Sequence, residues 1–195
     1  LPRCVVCMVL CFTTCSLASP WAAAQVLDLE PHDHISLVGN ALGERMQHHN
    51  HWELLLHQRF PEHELVVRNL CFPADEVDVR PRSMNFGSPD DHLRHSQADV
   101  ILYFLGFNES FAGPDGVADF KQSLIELIEH NRSQTYGREP PRVVLISPIA
   151  AEDVHSPHIP DGSQLNATLK LYAAAMREAA EASGAAFVDV FAPTQ

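Results

Sequence analysis

The chain is 195 residues long, with 13 basic against 25 acidic side chains and a formal charge of −12. That length suffices for one domain with a full core. So acidic a surface repels phosphate backbones and anionic membranes, which argues against nucleic acid as a partner.

The first 24 residues stand apart from the rest. Arg3 is followed by an uncharged apolar run over residues 4–17 and then by Ser-Pro-Trp-Ala-Ala-Ala before Gln25. A basic start, an apolar middle and the small residues Ala22, Ala23 and Ala24 predict a secretory signal removed after residue 24. The body, residues 25–195, is then exported to the periplasm or the extracellular space, with no stable membrane span after cleavage. The alternative is an uncleaved anchor, since residues 4–24 are long enough to cross a bilayer. Cys4, Cys7, Cys11 and Cys15 fall inside this segment, so the body keeps only Cys71 and forms no internal disulfide.

Five short apolar runs follow in the body, at residues 35–38, 65–67, 100–105, 143–146 and 186–190. They are rich in Val, Ile, Leu and Phe without strict alternation, the pattern of strands covered on both faces. Between them, residues 42–60 carry Met46, Trp52, Leu55, Leu56 and Phe60 on one broad apolar stripe that ends at Pro61. Val117, Phe120, Leu124, Leu127 and Ile128 recur at helical spacing after Gly113-Pro114-Asp115. Residues 166–183 form an Ala-rich helical run with Gly184 at its C-cap. Alternating strands and helices predict a single three-layer α/β domain with a parallel sheet and right-handed crossovers. Residues 71–89 and 147–165 read as long irregular connections at strand C-termini, where open α/β sheets place their binding crevice.

The strand ends carry the informative residues. The first strand runs through Gly39-Asn40-Ala41 directly into a helix, residues 69–74 read Asn-Leu-Cys-Phe-Pro-Ala, and the third strand ends in Gly106-Phe107-Asn108-Glu109. These blocks resemble the SGNH, or GDSL-type, hydrolases over roughly residues 34–195. The resemblance implies a flavodoxin-like fold with a five-stranded parallel sheet and hydrolysis of an ester on a small molecule or a glycan. It also implies an oxyanion hole built from the N–H of Ala41, the N–H of Cys71 and the side chain of Asn108, with Gly106 opening the third block. In that family the first block is Gly-Asp-Ser; here Asn40 stands for the acid and Ala41 for the serine nucleophile, and a methyl group cannot attack an ester. Asn40 is left as a ligand-binding amide or as a plain turn residue. Cys71 replaces a family glycine, and without a neighbouring histidine its thiol reads as a small core group.

The family's Asp-x-x-His block is not found before Gln195. Asp161 precedes the wrong element and has Gln164 where the histidine belongs, and His155 and His158 are weak substitutes as bases. The expectation is that the sequence is cut before that block. Residues 39–48, 80–90, 106–113 and 191–195 further resemble a secreted SGNH-like domain of planctomycete-type bacteria. That domain leads larger proteins with dehydrogenase-like and c-type haem modules, which implies downstream domains here. The rival class is a non-catalytic carbohydrate- or small-molecule-binding module of such a protein.

Two other groups of residues attract attention. Arg80 and Arg82 either hold a carboxylate or sulfate on a substrate, or pair with the neighbouring Asp75, Glu76 and Asp78. His48 and His51 share a helix face at a spacing that suits a metal, but no acid completes a ligand set with them. No metal and no cofactor is expected.

Overall fold

The computed structural model describes residues 27–195. The signal expected over residues 1–24, and the four cysteines within it, lie outside the described residues. All five expected strands form: β1 (His34–Gly39), β2 (Val66–Asn69), β3 (Val100–Phe104), β4 (Arg142–Ile146) and β5 (Ala186–Val188). They pair in the order β2-β1-β3-β4-β5, every neighbour parallel, with Ile35 beside Val67 on one side and Val100 on the other. The fold is α/β, a five-stranded parallel sheet with helices on both faces, as the resemblance implied. β5 is two residues shorter than expected because Ser147 Oγ, not a backbone carbonyl, receives the N–H groups of Val190 and Phe191.

The stretch read as one helix over 42–60 is two, α1 (Ala41–Met46) and α2 (His51–Arg59). Asn50 between them adopts a left-handed conformation, φ 55°, which ends one helical path and starts another. Leu55, expected on the buried stripe, is instead 64% exposed. A helix the sequence analysis did not assign, α3 (Pro89–His95), begins where the expected irregular connection over 71–89 ends. Its start is local: Ser88 and Asp91 form a reciprocal capping box and Pro89 opens the first turn. The remaining helices are α4 (Val117–Arg132) and α5 (Ser163–Ser183), the latter beginning three residues earlier than expected and closed by Gly184 in a left-handed C-cap at φ 68°.

The sheet separates two cores. On one face α3, α4 and α5 bury Leu93, Leu124, Ile128 and Met176 against Ile101, Tyr103 and Leu145. Each such side chain contributes about 1.5–3 kcal/mol by leaving water. On the other face Leu42, Met46, Trp52 and Leu56 of α1 and α2 pack only partly over Ile35, Leu102, Phe104 and Val144. This second face retains an apolar groove of about 640 Å³ running past Val188. At the N-terminal edge of the sheet, fully buried Asp33 receives the guanidinium groups of Arg138 at 2.5 Å and Arg142 at 2.6 Å. No helix among the described residues is long and apolar enough to cross a membrane.

Candidate functional site

The chain leaves β1 for α1 on one face and leaves β3 for α4 on the other, so a crevice opens between the C-terminal ends of these adjacent strands. Gly39 ends β1 at φ 133°, and a Cβ there would lie 2.1 Å from the Phe104 carbonyl oxygen. Only glycine lets the two strand ends approach this closely. The Asn40 N–H donates to that same carbonyl at 2.9 Å. The Asn40 side chain is buried and accepts from Leu42 N at 3.2 Å, capping α1. Ala41 is the first residue of α1 and is exposed. Its N–H makes no hydrogen bond among the described residues.

The connection after β2 is tied to this turn from the side. Asn69 accepts the Cys71 N–H through Oδ1 at 3.0 Å and donates through Nδ2 to the Gly43 carbonyl at 2.8 Å. The Cys71 N–H, expected to face a ligand, is therefore already engaged. Its sulfur fills the space beside Gly43, where a Cβ would come within 2.5 Å of Sγ. Burial pushes the thiol well above its ordinary range, the charges of Asp75 and Glu44 push it further, and Arg80 acts in the opposite sense. Cys71 is thus a protonated packing residue at neutral pH, not a nucleophile.

Beyond β3, Gly106 adopts φ 92° and gives its N–H to Glu109 Oε2 at 2.8 Å. The other oxygen of Glu109 receives the Val77 N–H at 3.0 Å. Burial raises the Glu109 carboxyl to about 7; the N–H groups of Glu109 itself, Gly106 and Val77 oppose that shift and the nearby Glu76 adds to it. Next to it, Asn108 Nδ2 donates to the Asp75 carbonyl oxygen at 3.0 Å. The structure thus places Gly106 and Asn108 in the turn after β3, with the amide occupied by the 71–89 connection. Sequence reading missed Asn69 and Glu109, the two residues that join these loops. Glu109 carries a local signal, a carboxylate three residues after a left-handed glycine.

Asp75 is fully buried and takes Arg82 in a two-pronged pair at 2.7 and 2.8 Å. The Arg82 guanidinium also lies 4.1 Å over the Phe72 ring. Arg80 stands 3.9 Å from the same carboxylate. Of the acids considered for this pair, Asp75 is the partner found. The histidines lie apart from the crevice: His48 bonds Glu44 at 3.1 Å, and His155 bonds Asp153 at 2.8 Å on the surface. His158 is exposed. Among the described residues no cluster of three or more His, Cys, Asp and Glu side chains is placed to hold a metal ion.

No family model and no curated protein matches the chain. Several solved structures do. A gut microbial diltiazem-metabolizing enzyme superposes with a TM-score of 0.61 at 19% identity, over 87% of this chain but 39% of that one. The acetylxylan esterase Axe2 from Geobacillus stearothermophilus gives 0.61 at 15% identity, over 85% of this chain and 80% of that one. The aryl esterase of M. smegmatis gives 0.58 at 15% identity, over 80% and 83%. At these identities the likeness is one of fold: the chain shares the three-layer parallel α/β architecture of these esterases.

Proposed function

We propose that residues 25–195 form an SGNH-type ester-hydrolase-like domain whose strand-end crevice receives an acyl ester on a small molecule or glycan. The observation that carries this reading is the placement of the Gly39-Asn40-Ala41 elbow beside the Gly106-x-Asn108 turn at adjacent strand ends. An ester carbonyl in the crevice meets the free Ala41 N–H. The Asn108 amide and the Cys71 N–H join it by exchanging Asp75 and Asn69 for the ligand. The likeness to an acetylxylan esterase makes acetylated glycans the first ligands to try. We further propose export through residues 1–24 to the periplasm or extracellular space, in a protein with downstream domains.

A second reading is favoured by Ala41. A methyl group supplies no nucleophile, and no described histidine bonds to the residues of the elbow or of the Gly106-x-Asn108 turn. The crevice then holds the ester without cleaving it, as a binding module of a larger secreted protein. Hydrolysis of p-nitrophenyl acetate and of acetylated xylo-oligosaccharides, followed in the unaltered protein and in Asn108→Ala, separates the two. Turnover that falls about ten-fold or more in the variant supports hydrolysis. Saturable binding without turnover assigns the binding module. Neither turnover nor binding overturns both.

A further inference from the structure

Under the 71–89 connection, between the end of β1 and α3, lies a recess of about 240 Å³. Its charged lining is Arg80 and Arg82, beside the His92 ring, with no carboxylate among the lining residues, in a chain of net charge −12. Its apolar walls include Phe72, Phe86 and Leu93. The His92 ring meets the Phe86 carbonyl at 3.0 Å and packs on the Phe86 ring at 4.7 Å between centroids, which holds that wall in place.

The two arginines are unequally satisfied. Asp75 spends its single charge on the two-pronged pair with Arg82. Arg80 lies 3.9 Å from that carboxylate and reaches the Val77 carbonyl only at 3.5 Å, the outer limit of a hydrogen bond. Its side chain is nevertheless only 17% exposed. Asp75, Arg80 and Arg82 together therefore carry one unbalanced positive charge largely removed from water, a costly arrangement unless an anion joins it. The Arg80 charge also acts on both the Cys71 thiol and the buried Tyr103 phenol, opposing the burial that pushes each upward.

We propose that this recess binds a small organic carboxylate bearing a single ring, with its carboxylate on Arg80 and its ring against Phe86 and Leu93. A guanidinium fork matches a planar carboxylate in two parallel hydrogen bonds, and the apolar walls suit an uncharged body. The volume lies below the roughly 300–1,000 Å³ of sites for drug-sized ligands, which limits the occupant to about one ring. Asn69 and Cys71 border both this recess and the ester crevice, but the carboxylate contact on Arg80 does not depend on ester turnover at the Ala41 elbow.

Calorimetric titration of the full chain with benzoate and with benzamide tests this without any substitution. The expected result is saturable benzoate binding, with the neutral amide weaker by about ten-fold or more, the loss of one charge-assisted contact. Arg80→Gln is expected to lower benzoate affinity to a similar extent and Arg80→Lys to restore part of it, with thermal melts checking that both variants fold. Absence of saturable benzoate binding to the unaltered protein overturns the proposal. So does equal binding of benzoate and benzamide, undiminished binding in a folded Arg80→Gln, or sulfate binding as tightly as benzoate.

Discussion

The side-chain amide of Asn108 donates to the carbonyl of Asp75 at 3.0 Å, fastening the turn after β3 to the connection after β2. Glu109 adds a second tie one residue on, through Val77 N, and Asp75 continues the chain to Arg82 and the Phe72 ring. The crevice wall is therefore a network of backbone-directed hydrogen bonds around two acids rather than an apolar packing surface. Asn108→Ala removes one of these bonds and leaves a carbonyl without its donor. The expected cost is about 1–2 kcal/mol, or a drop of roughly 2–8 °C in melting temperature by calorimetry.

Glu109 makes this network sensitive to pH. Its carboxyl is raised by burial to about 7 in the folded protein, above its ordinary 4.5. A raised carboxyl binds its proton more tightly folded than unfolded, so its contribution is complete below about 4.5 and is lost as pH rises through about 7. The full swing is of order 3 kcal/mol. In urea titrations between pH 4 and 8, the unaltered protein is expected to lose stability relative to Glu109→Gln as pH rises. A constant difference between the two would refute the assignment.

Asp75 and Arg82 form a buried pair in which neither partner is replaceable alone. Asp75→Asn leaves two guanidinium groups without a counter-charge in a dry environment, and the expected cost is about 3–5 kcal/mol by denaturant unfolding. Arg82→Lys keeps the charge but loses both the fork and the stacking on Phe72. It should cost less than Asp75→Asn yet remain measurably destabilising.

Gly39→Ala is the most damaging single methyl predicted for the crevice. The added carbon would meet the Phe104 carbonyl at 2.1 Å from a backbone at φ 133°. Separation of β1 from β3 at their C-terminal ends should follow, with a loss of about 3 kcal/mol or more. Retention of the parent's melting temperature would show that the strand ends are not in contact.

Cys71 is expected to be inert to thiol reagents. With its thiol protonated and its sulfur against Gly43 and Phe104, native protein and Cys71→Ala should react with Ellman's reagent to the same extent. An additional equivalent should appear in the unaltered protein only after unfolding in guanidinium chloride.

The sequence by itself determined the sheet. Runs such as residues 100–105 and 143–146 are apolar at every position, and only a strand covered on both faces buries them completely. It also marked the places where glycine is obligatory: Gly39, Gly106 and Gly184 all adopt positive φ. These features are local, so composition and spacing report them. The helix boundary at Asn50 was hidden because the apolar residues on its two sides keep a helical spacing across the break, although the break turns Leu55 out to solvent. What only the tertiary structure decided is the partnership of the polar groups at the strand ends. Asn108 meets Asp75 across 33 positions of sequence, Glu109 meets Val77 across 32, and Asn69 meets Gly43 across 26. Hydrogen bonds reach about 3 Å and are directional. Which donor finds which acceptor is therefore settled by the register of β1, β2 and β3, which no stretch of sequence displays on its own.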